Sequence, residues 1–202
     1  MKKLIYLSTI AIVAVTSYAF KAGSDLQKTY KVDPAKSKSV WIGTKVTGTH
    51  TGNINLSGGT LKYDGKVITG GTIEFDLNSI TCTDLTDKAY NDKLIGHLKA
   101  DDFFGVAKFP TAKFEISKVV PKTGENYDVT GKLTIKGITQ EITFPAVIKA
   151  SAVTIVTVAK ITVNRTKFDI KYGSASFVDG LGDKAISDDF VLEVNVVAVP
   201  EK

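Results

Sequence analysis

The sequence predicts an all-β protein: an eight-stranded antiparallel barrel with a short helix and loop inserted around residues 87–109. Three observations predict this fold class. Segments in which apolar and polar residues alternate recur along the chain, as expected of strands that bury one face. Turn residues separate these segments at short intervals, which favours hairpins. No linker divides the chain, which indicates a single domain.

The first half of the chain contains four predicted strands. Residues 30–32 precede an Asp-Pro turn, and a longer strand covers residues 39–46. The next strand, residues 52–63, ends at Asp64-Gly65, a dipeptide typical of hairpin turns. Residues 67–77 follow and show the most regular alternation of the chain.

Residues 84–110 interrupt the strand pattern. Asp84 or Asp87 is placed to cap a short helix, because Leu94 and Leu98 lie at helical spacing after them. An aromatic-rich loop follows the helix. We expect helix and loop to form a lid at one end of the barrel.

Five further strands complete the predicted fold. They cover residues 111–119, 127–135, 140–150, 153–163 and 189–199. Their order along the chain, strand after strand through short turns, favours a barrel over a sandwich. A barrel of about eight strands is just wide enough to be packed solid or to hold one small ligand.

The N-terminal residues predict export. A positively charged start at residues 1–3 is followed by an apolar run over residues 4–15 and then by small residues. This is the pattern of a signal peptide, and the apolar run is too short for a comfortable membrane span. We assign residues 1–19 to the signal peptide, with cleavage after Ala19 or Ala22.

The remaining chain is long enough for one domain with a substantial core. Residues 20–29 are assigned to a linker and residues 30–200 to the barrel. We expect a periplasmic or extracellular protein with no stable membrane span after signal removal. The net charge is +5, but lysines and acids are interspersed, so no basic stripe predicts nucleic-acid binding. A homodimer is left open.

The sequence carries no recognisable catalytic or metal-binding motif. It has neither a Gly-x-Ser-x-Gly elbow nor a phosphate-binding glycine loop. The single cysteine, Cys82, excludes an internal disulfide and is interpreted as an inert, buried thiol. Neither His50 nor His97 has other ligands at metal-site spacing, so we predict no metal, no cofactor and no enzyme. The alternative is a small exported metal-dependent enzyme that uses both histidines.

Three motifs resemble those of a known family. They are His97-Leu98-x-x-x-Asp102-Phe103-Phe104 with Lys108-Phe109-Pro110-Thr111 and Phe114, Val129-x-Gly131-x-Leu133-Thr134-Ile135-x-Gly137-Ile138-Thr139, and Asn164-Arg165-Thr166-x-Phe168-x-Ile170-x-Tyr172-Gly173. On these motifs the chain resembles the YceI family of exported, lipocalin-like proteins over nearly the whole mature sequence. The resemblance implies a barrel with a long apolar tunnel. It also implies that the tunnel binds an isoprenoid-type lipid of the quinone or prenyl-phosphate class.

Aromatic side chains are expected to form the wall of that tunnel. The predicted wall consists of Trp41, Phe75, Phe103, Phe104, Phe109, Phe114, Phe144, Phe168 and Phe190. Because Phe103 and Phe104 are neighbours in a loop, we expect them to point in different directions, with one plugging the barrel end. The alternative is that the rings fill a solid core and that the protein acts through its surface as a partner-binding module.

Polar contacts are needed only at the lipid head, because each buried CH₂ of the tail contributes about 0.8 kcal/mol. The head-group candidates are Lys45, His50, His97, Lys99 and Arg165. Arg165 is the only arginine of the chain, and a guanidinium suits a phosphate or a carboxylate. A structural salt bridge or loop clamp is the alternative role for Arg165.

Overall fold

The computed structural model describes residues 27–201, so the predicted signal peptide lies outside the described residues. The strands are β1 (Lys28–Val32), β2 (Lys38–Lys45), β3 (Gly48–Asn53), β4 (Asn55–Tyr63), β5 (Ile68–Asp76), β6 (Thr111–Pro121), β7 (Asn126–Ile135), β8 (Ile138–Ala150), β9 (Ile155–Asn164) and β10 (Ile186–Pro200). One α-helix, α1 (Lys88–Lys99), and short 3₁₀ helices at Leu77–Ser79, Arg165–Phe168 and Gly182–Lys184 complete the described residues. β1 begins at Lys28, so the last two residues of the predicted linker belong to the sheet.

The ten strands form an eight-stranded closed barrel, which confirms the predicted fold class. β1 and β2 lie along the same edge of β10: Val32 is opposite Ala198, and Lys38 is opposite Asn195. They are therefore one strand interrupted by a turn. β3 and β4 are likewise one strand, interrupted only at Ile54. Pairing of β1 with both β4 and β10 closes the cylinder.

Tight turns join neighbouring strands wherever the sequence places turn residues. Between β7 and β8, Ile135 pairs with Ile138, and only Lys136 and Gly137 lie in the turn. Both take positive φ angles, 52° and 76°, which is the conformation whose twist matches that of a two-residue hairpin. Glycine reaches this region without steric cost, so the sequence favours this register.

Helix α1 and the loop after it close one end of the barrel, as predicted. The Asp87 carboxylate accepts hydrogen bonds from the Ala89 and Tyr90 amides, so Asp87 rather than Asp84 is the N-cap. Leu98 is buried, and Leu94 and Ile95 pack against the core. Because this segment joins the end of β5 to the start of β6, it lies where β6, β8 and β10 begin. We call this the helical end.

Alternate residues of each strand face the barrel interior. On β10, Val194, Val196 and Ala198 are buried, whereas the residues between them face outward or are half-buried. These inward side chains form one continuous apolar cluster with those of the other strands. Among residues 27–201, no helix combines the length and the apolar character needed to cross a bilayer.

Candidate ligand-binding cavity

Two apolar cavities lie along the barrel axis. The proximal cavity, at the helical end, has a volume of about 100 Å³, and the distal cavity has a volume of about 60 Å³. Phe75, Leu133, Val163 and Leu192 line both, so the cavities are adjoining sections of one interior. Since a cavity of about 10–15 Å³ is enough for one water, the interior is not packed solid.

The distal cavity is apolar along its whole length. Its wall includes Phe114 and Phe144, whose ring centroids are 5.3 Å apart. Among the described residues that line it, Thr157 has the only polar side chain. The Thr157 Oγ1 atom is buried and has no hydrogen-bond partner. Such a surface favours hydrocarbon and offers a single polar contact.

Aromatic rings surround the proximal cavity. Trp41, Phe75, Phe103, Phe104 and Phe190 all line it. The centroids of Phe103 and Phe104 are 5.3 Å apart, and those of Phe104 and Phe190 are 6.3 Å apart, both pairs edge to face. All five belong to the predicted wall, and that they contact a ligand stays a prediction.

Phe103 and Phe104 both face the proximal cavity, which differs from the expectation that neighbouring rings would diverge. The cause is the backbone of the loop, which is a turn rather than an extended chain. The Phe103 amide donates to the Ala100 carbonyl and the Phe104 amide to the Leu98 carbonyl. Successive side chains in helical turns are rotated by about 100°, rather than the 180° of a strand, which lets both rings reach the same cavity.

Two predicted wall residues lie elsewhere. Phe109 lines neither cavity but packs over the β7–β8 turn, where a Cβ at Gly137 would be only 3.0 Å from its Cε1 atom. Phe168 is 1% exposed and belongs to the packed core rather than to either cavity wall. Both lie in connections between strands, where the two-residue alternation that identifies inward positions does not apply.

The lysine candidates do not line either cavity. Lys45 is exposed at the end of β2. The Lys99 ammonium donates to the Asn78 carbonyl at 2.7 Å and thereby ties the end of α1 to the 3₁₀ helix Leu77–Ser79. Both residues lie at the helical end, but only Lys99 makes a structural contact there.

The two histidines engage different carboxylates. His50 Nδ1 is 2.8 Å from Asp84 Oδ2, and His97 Nε2 is 3.4 Å from Asp102 Oδ2. The His97 ring also packs edge to face against Tyr172, with centroids 4.3 Å apart. Neither histidine lines a cavity. His97 thus contacts the aromatic loop at Asp102 and lies outside the cavity.

Arg165 is the head-group candidate that does line the proximal cavity, yet it is 2% exposed and already engaged. Its Nε donates to the Ser187 carbonyl and its Nη2 to the Ile186 carbonyl, at 2.8 and 3.0 Å. Its Nη1 donates to the carbonyls of Ile170 and Tyr172, both at 2.8 Å.

These bonds use four of the five guanidinium N–H groups of Arg165. The remaining N–H is on Nη2, and this nitrogen lies 3.9 Å from Asp188 Oδ1. Burial lowers the pKa of Arg165, and the Asp188 charge opposes that change. One free N–H cannot grip a phosphate with two parallel bonds. The arrangement therefore favours the loop-clamp role.

The polar rim of the proximal cavity was missed by the sequence reasoning. Thr44, Ser187 and Asp189 line it beside Arg165. β10 begins at Ile186, three residues before the predicted start at 189, so Ser187 lies in a part of the strand that the sequence analysis did not include. Alternation carried backward from Phe190 would not have identified Ser187 and Asp189, because both have the opposite parity and the pairing of β10 with β2 shifts register between Ile186 and Phe190.

Comparison with known proteins places these features in a family context. The YceI-like domain matches residues 30–198 of the chain. A UPF0312 protein from Pseudomonas aeruginosa is 32% identical over 144 residues, which cover 68% of this chain and 71% of that protein. Protein YceI from Escherichia coli O157:H7 is 33% identical over 136 residues, 64% of this chain and 66% of that protein.

Solved structures share the same architecture. BcnA from Burkholderia cenocepacia superposes with a TM-score of 0.66 at 27% identity, covering 83% of this chain and 99% of that one. A polyisoprenoid binding domain from Saccharophagus degradans, implicated in plant cell wall breakdown, gives a TM-score of 0.61 at 16% identity. That match covers 85% of this chain and 98% of the domain, and at this identity it shows the fold alone.

Proposed function

Because the chain belongs to the YceI-like family, we propose that it binds an isoprenoid-type lipid, of the quinone or prenyl-phosphate class, inside its barrel. The observation that carries this proposal is the pair of adjoining cavities, which share four apolar side chains and are walled by aromatic rings. The chemical class is proposed by analogy with the Saccharophagus degradans structure, a polyisoprenoid binding domain with the same fold. The role is binding rather than catalysis, and the compartment is the periplasm.

The tail of the lipid lies in the distal cavity and the head at the rim formed by Thr44, Ser187 and Asp189. Burial of each CH₂ contributes about 0.8 kcal/mol, and the ordering of a flexible tail offsets part of that gain. The two cavities are small, so a tail of several isoprene units requires the side chains between them to move apart. Phe75 and Leu192 lie at that position.

The direct test is chemical. Protein purified from its native host is extracted with organic solvent, and the extract is analysed by mass spectrometry. An amphiphile with an isoprenoid tail, recovered in amounts comparable to the protein, is the expected result. An extract without any such amphiphile contradicts the proposal. Osmotic-shock fractionation of the same cells tests the compartment.

Phe104→Asp tests the cavity wall. A carboxylate in an apolar cavity without a partner is costly, so we expect lipid retention to fall by at least about tenfold. Phe177→Asp is the matched control, because Phe177 is 54% exposed and lines neither cavity. Circular dichroism of both variants establishes that the barrel is folded. Equal retention in a folded Phe104→Asp variant removes this ring from the binding site.

A further inference from the structure

A cluster of three metal-binding side chains lies outside the cavity, on the flank of the helical end. The side chains are His50 on β3 and Cys82 and Asp84 in the segment before α1, and one potential ligand atom of each lies within 4.8 Å of the others. Asp84 is at the centre: its Oδ2 is 2.8 Å from His50 Nδ1, and its Oδ1 is 3.2 Å from Cys82 Sγ. No other such group of three occurs within residues 27–201.

Backbone pairing fixes the spacing of the cluster. The Thr81 and Thr83 amides donate to the carbonyls of Asn53 and Thr51, at 3.0 and 2.9 Å, so the segment runs alongside β3. This close approach requires a glycine at position 52, because a Cβ there would lie 1.7 Å from the Thr81 carbonyl oxygen. The three side chains are therefore brought together by the fold rather than by chance contacts of flexible surface groups.

Side chains from two other elements hold the same segment. The Trp41 indole on β2 donates to the Thr81 carbonyl at 2.8 Å. The Asn91 amide on α1 donates to the carbonyls of Cys82 and Leu85, at 3.0 and 2.9 Å. The Thr51 amide donates to Asp84 Oδ1 at 2.8 Å and orients the carboxylate. Supported ligands of this kind are what a metal site needs.

We propose that His50, Cys82 and Asp84 form a binding site for one divalent ion of the zinc class, with water as the fourth ligand. Thiolate, imidazole and carboxylate are the three side-chain ligands that zinc accepts, and zinc favours four-coordinate geometry. One thiolate and one carboxylate balance the double positive charge when the imidazole is neutral. The inference is independent of lipid binding, because none of the three side chains lines either cavity.

The geometry requires only small movements. Zinc–ligand distances of about 2.0–2.3 Å place tetrahedral ligand atoms about 3.3–3.8 Å apart. The atoms of the cluster are separated by 2.8 Å, 3.2 Å and at most 4.8 Å, so rotation of the side chains brings them to this spacing. The ion takes the place of the thiol proton, which now lies between Cys82 and Asp84. Binding therefore releases that proton to solvent.

Cobalt(II) titration of the purified protein is the test. Cobalt reports the zinc site because a thiolate ligand gives it a near-ultraviolet charge-transfer band. Cys82 is the only cysteine of the chain, so that band assigns the ligand without any variant. We expect the band to saturate at one equivalent and to disappear when zinc is added. Absence of the band, or saturation at half an equivalent, overturns the site as described.

Variants separate the three ligands from the rest of the chain. We expect Cys82→Ser to abolish the band. Asp84→Asn should weaken zinc binding, measured by competition with a chelator, by at least about 100-fold. Loss of an outer-shell partner costs up to about 100-fold, and loss of a direct ligand should cost no less. His97→Gln is the matched control, since it removes the other histidine and should leave the affinity unchanged. Equal loss in His97→Gln, or none in Asp84→Asn, contradicts the assignment.

Discussion

Arg165 shows how one buried side chain organises the loops of the helical end. Its guanidinium joins the carbonyls of Ile170 and Tyr172 in one loop to those of Ile186 and Ser187 at the start of β10. Its Cζ also lies 5.7 Å from the centroid of the Phe103 ring. The side chain that fixes the loops therefore also positions part of the cavity wall.

Arg165→Lys distinguishes a clamp from a head-group ligand. A lysine retains the charge but cannot present the planar array of donors, so carbonyl groups lose their partners. We expect the free energy of unfolding of lipid-free protein, measured with urea, to fall by about 3 kcal/mol. Lys160→Met is the control: Lys160 pairs with Glu193 on the exposed face, and its loss should cost less than about 1 kcal/mol. Unchanged stability with reduced lipid retention would instead indicate a head-group role.

At the scale of elements, the sequence predicted regular strands well and connections less well. Phe75, Phe114, Phe144 and Phe190 lie on strands, and their inward orientation follows from the alternation of side chains. Phe109 and Phe168 lie in connections, where orientation depends on turn geometry that only the structure shows. The sequence analysis also missed the cluster around Asp84. Two segments that are separated in the sequence contribute to it, and only the backbone pairing of the folded chain brings them together.

The β4–β5 hairpin contains a carboxylate whose protonation affects stability. The Asp64 carboxylate accepts hydrogen bonds from the Val67 and Lys66 amides, both at 2.8 Å. These bonds lower the pKa of Asp64 below its ordinary value of 3.8. A group whose pKa is lower in the folded state stabilises the fold above the unfolded pKa, and the stabilisation is lost as the pH falls through the folded value.

We therefore expect the stability difference between the natural protein and Asp64→Ala to be constant above the ordinary pKa and to shrink as the pH falls below 3.8. Urea denaturation of both proteins between neutral pH and the acid range measures it. Asp64→Asn is the control, because its amide oxygen can still accept these bonds but does not titrate. A difference that grows on acidification would contradict the role given to this carboxylate.

For the whole molecule, the residue patterns predicted the barrel and its lid, whereas the internal space was implied only by the family resemblance. Alternation fixes which residues face inward, whereas the presence of a cavity depends on how closely side chains from opposite walls approach. The same inward residues could have filled the core, as the alternative prediction stated. Small side chains such as Ala159 at the distal cavity are part of the reason that they do not.

Ala159→Leu tests whether the length of the interior sets the length of the bound tail. The larger side chain occupies space in the distal cavity, so we expect retention of long-tailed lipids to fall by about tenfold or more, and that of short-tailed lipids to change little. Val158→Leu is the control, because Val158 precedes Ala159 on β9 and faces outward. Retention is compared by mass spectrometry after incubation with a mixture of tail lengths. A uniform loss for all lengths would contradict the arrangement of tail and head.

The pairing of β1 with β10 joins the first strand to the tenth, and the Glu201 amide adds a bond to the Thr29 carbonyl at 2.9 Å. A cylinder sealed in this way cannot finish forming while its tenth strand is still being synthesised. Until then the nine earlier strands can form only an open, curved sheet. The apolar inner face of this sheet is accessible from the open side along its whole length. The proposed lipid can therefore enter laterally before β1 and β10 pair, and it does not have to pass through a narrow opening at the barrel end.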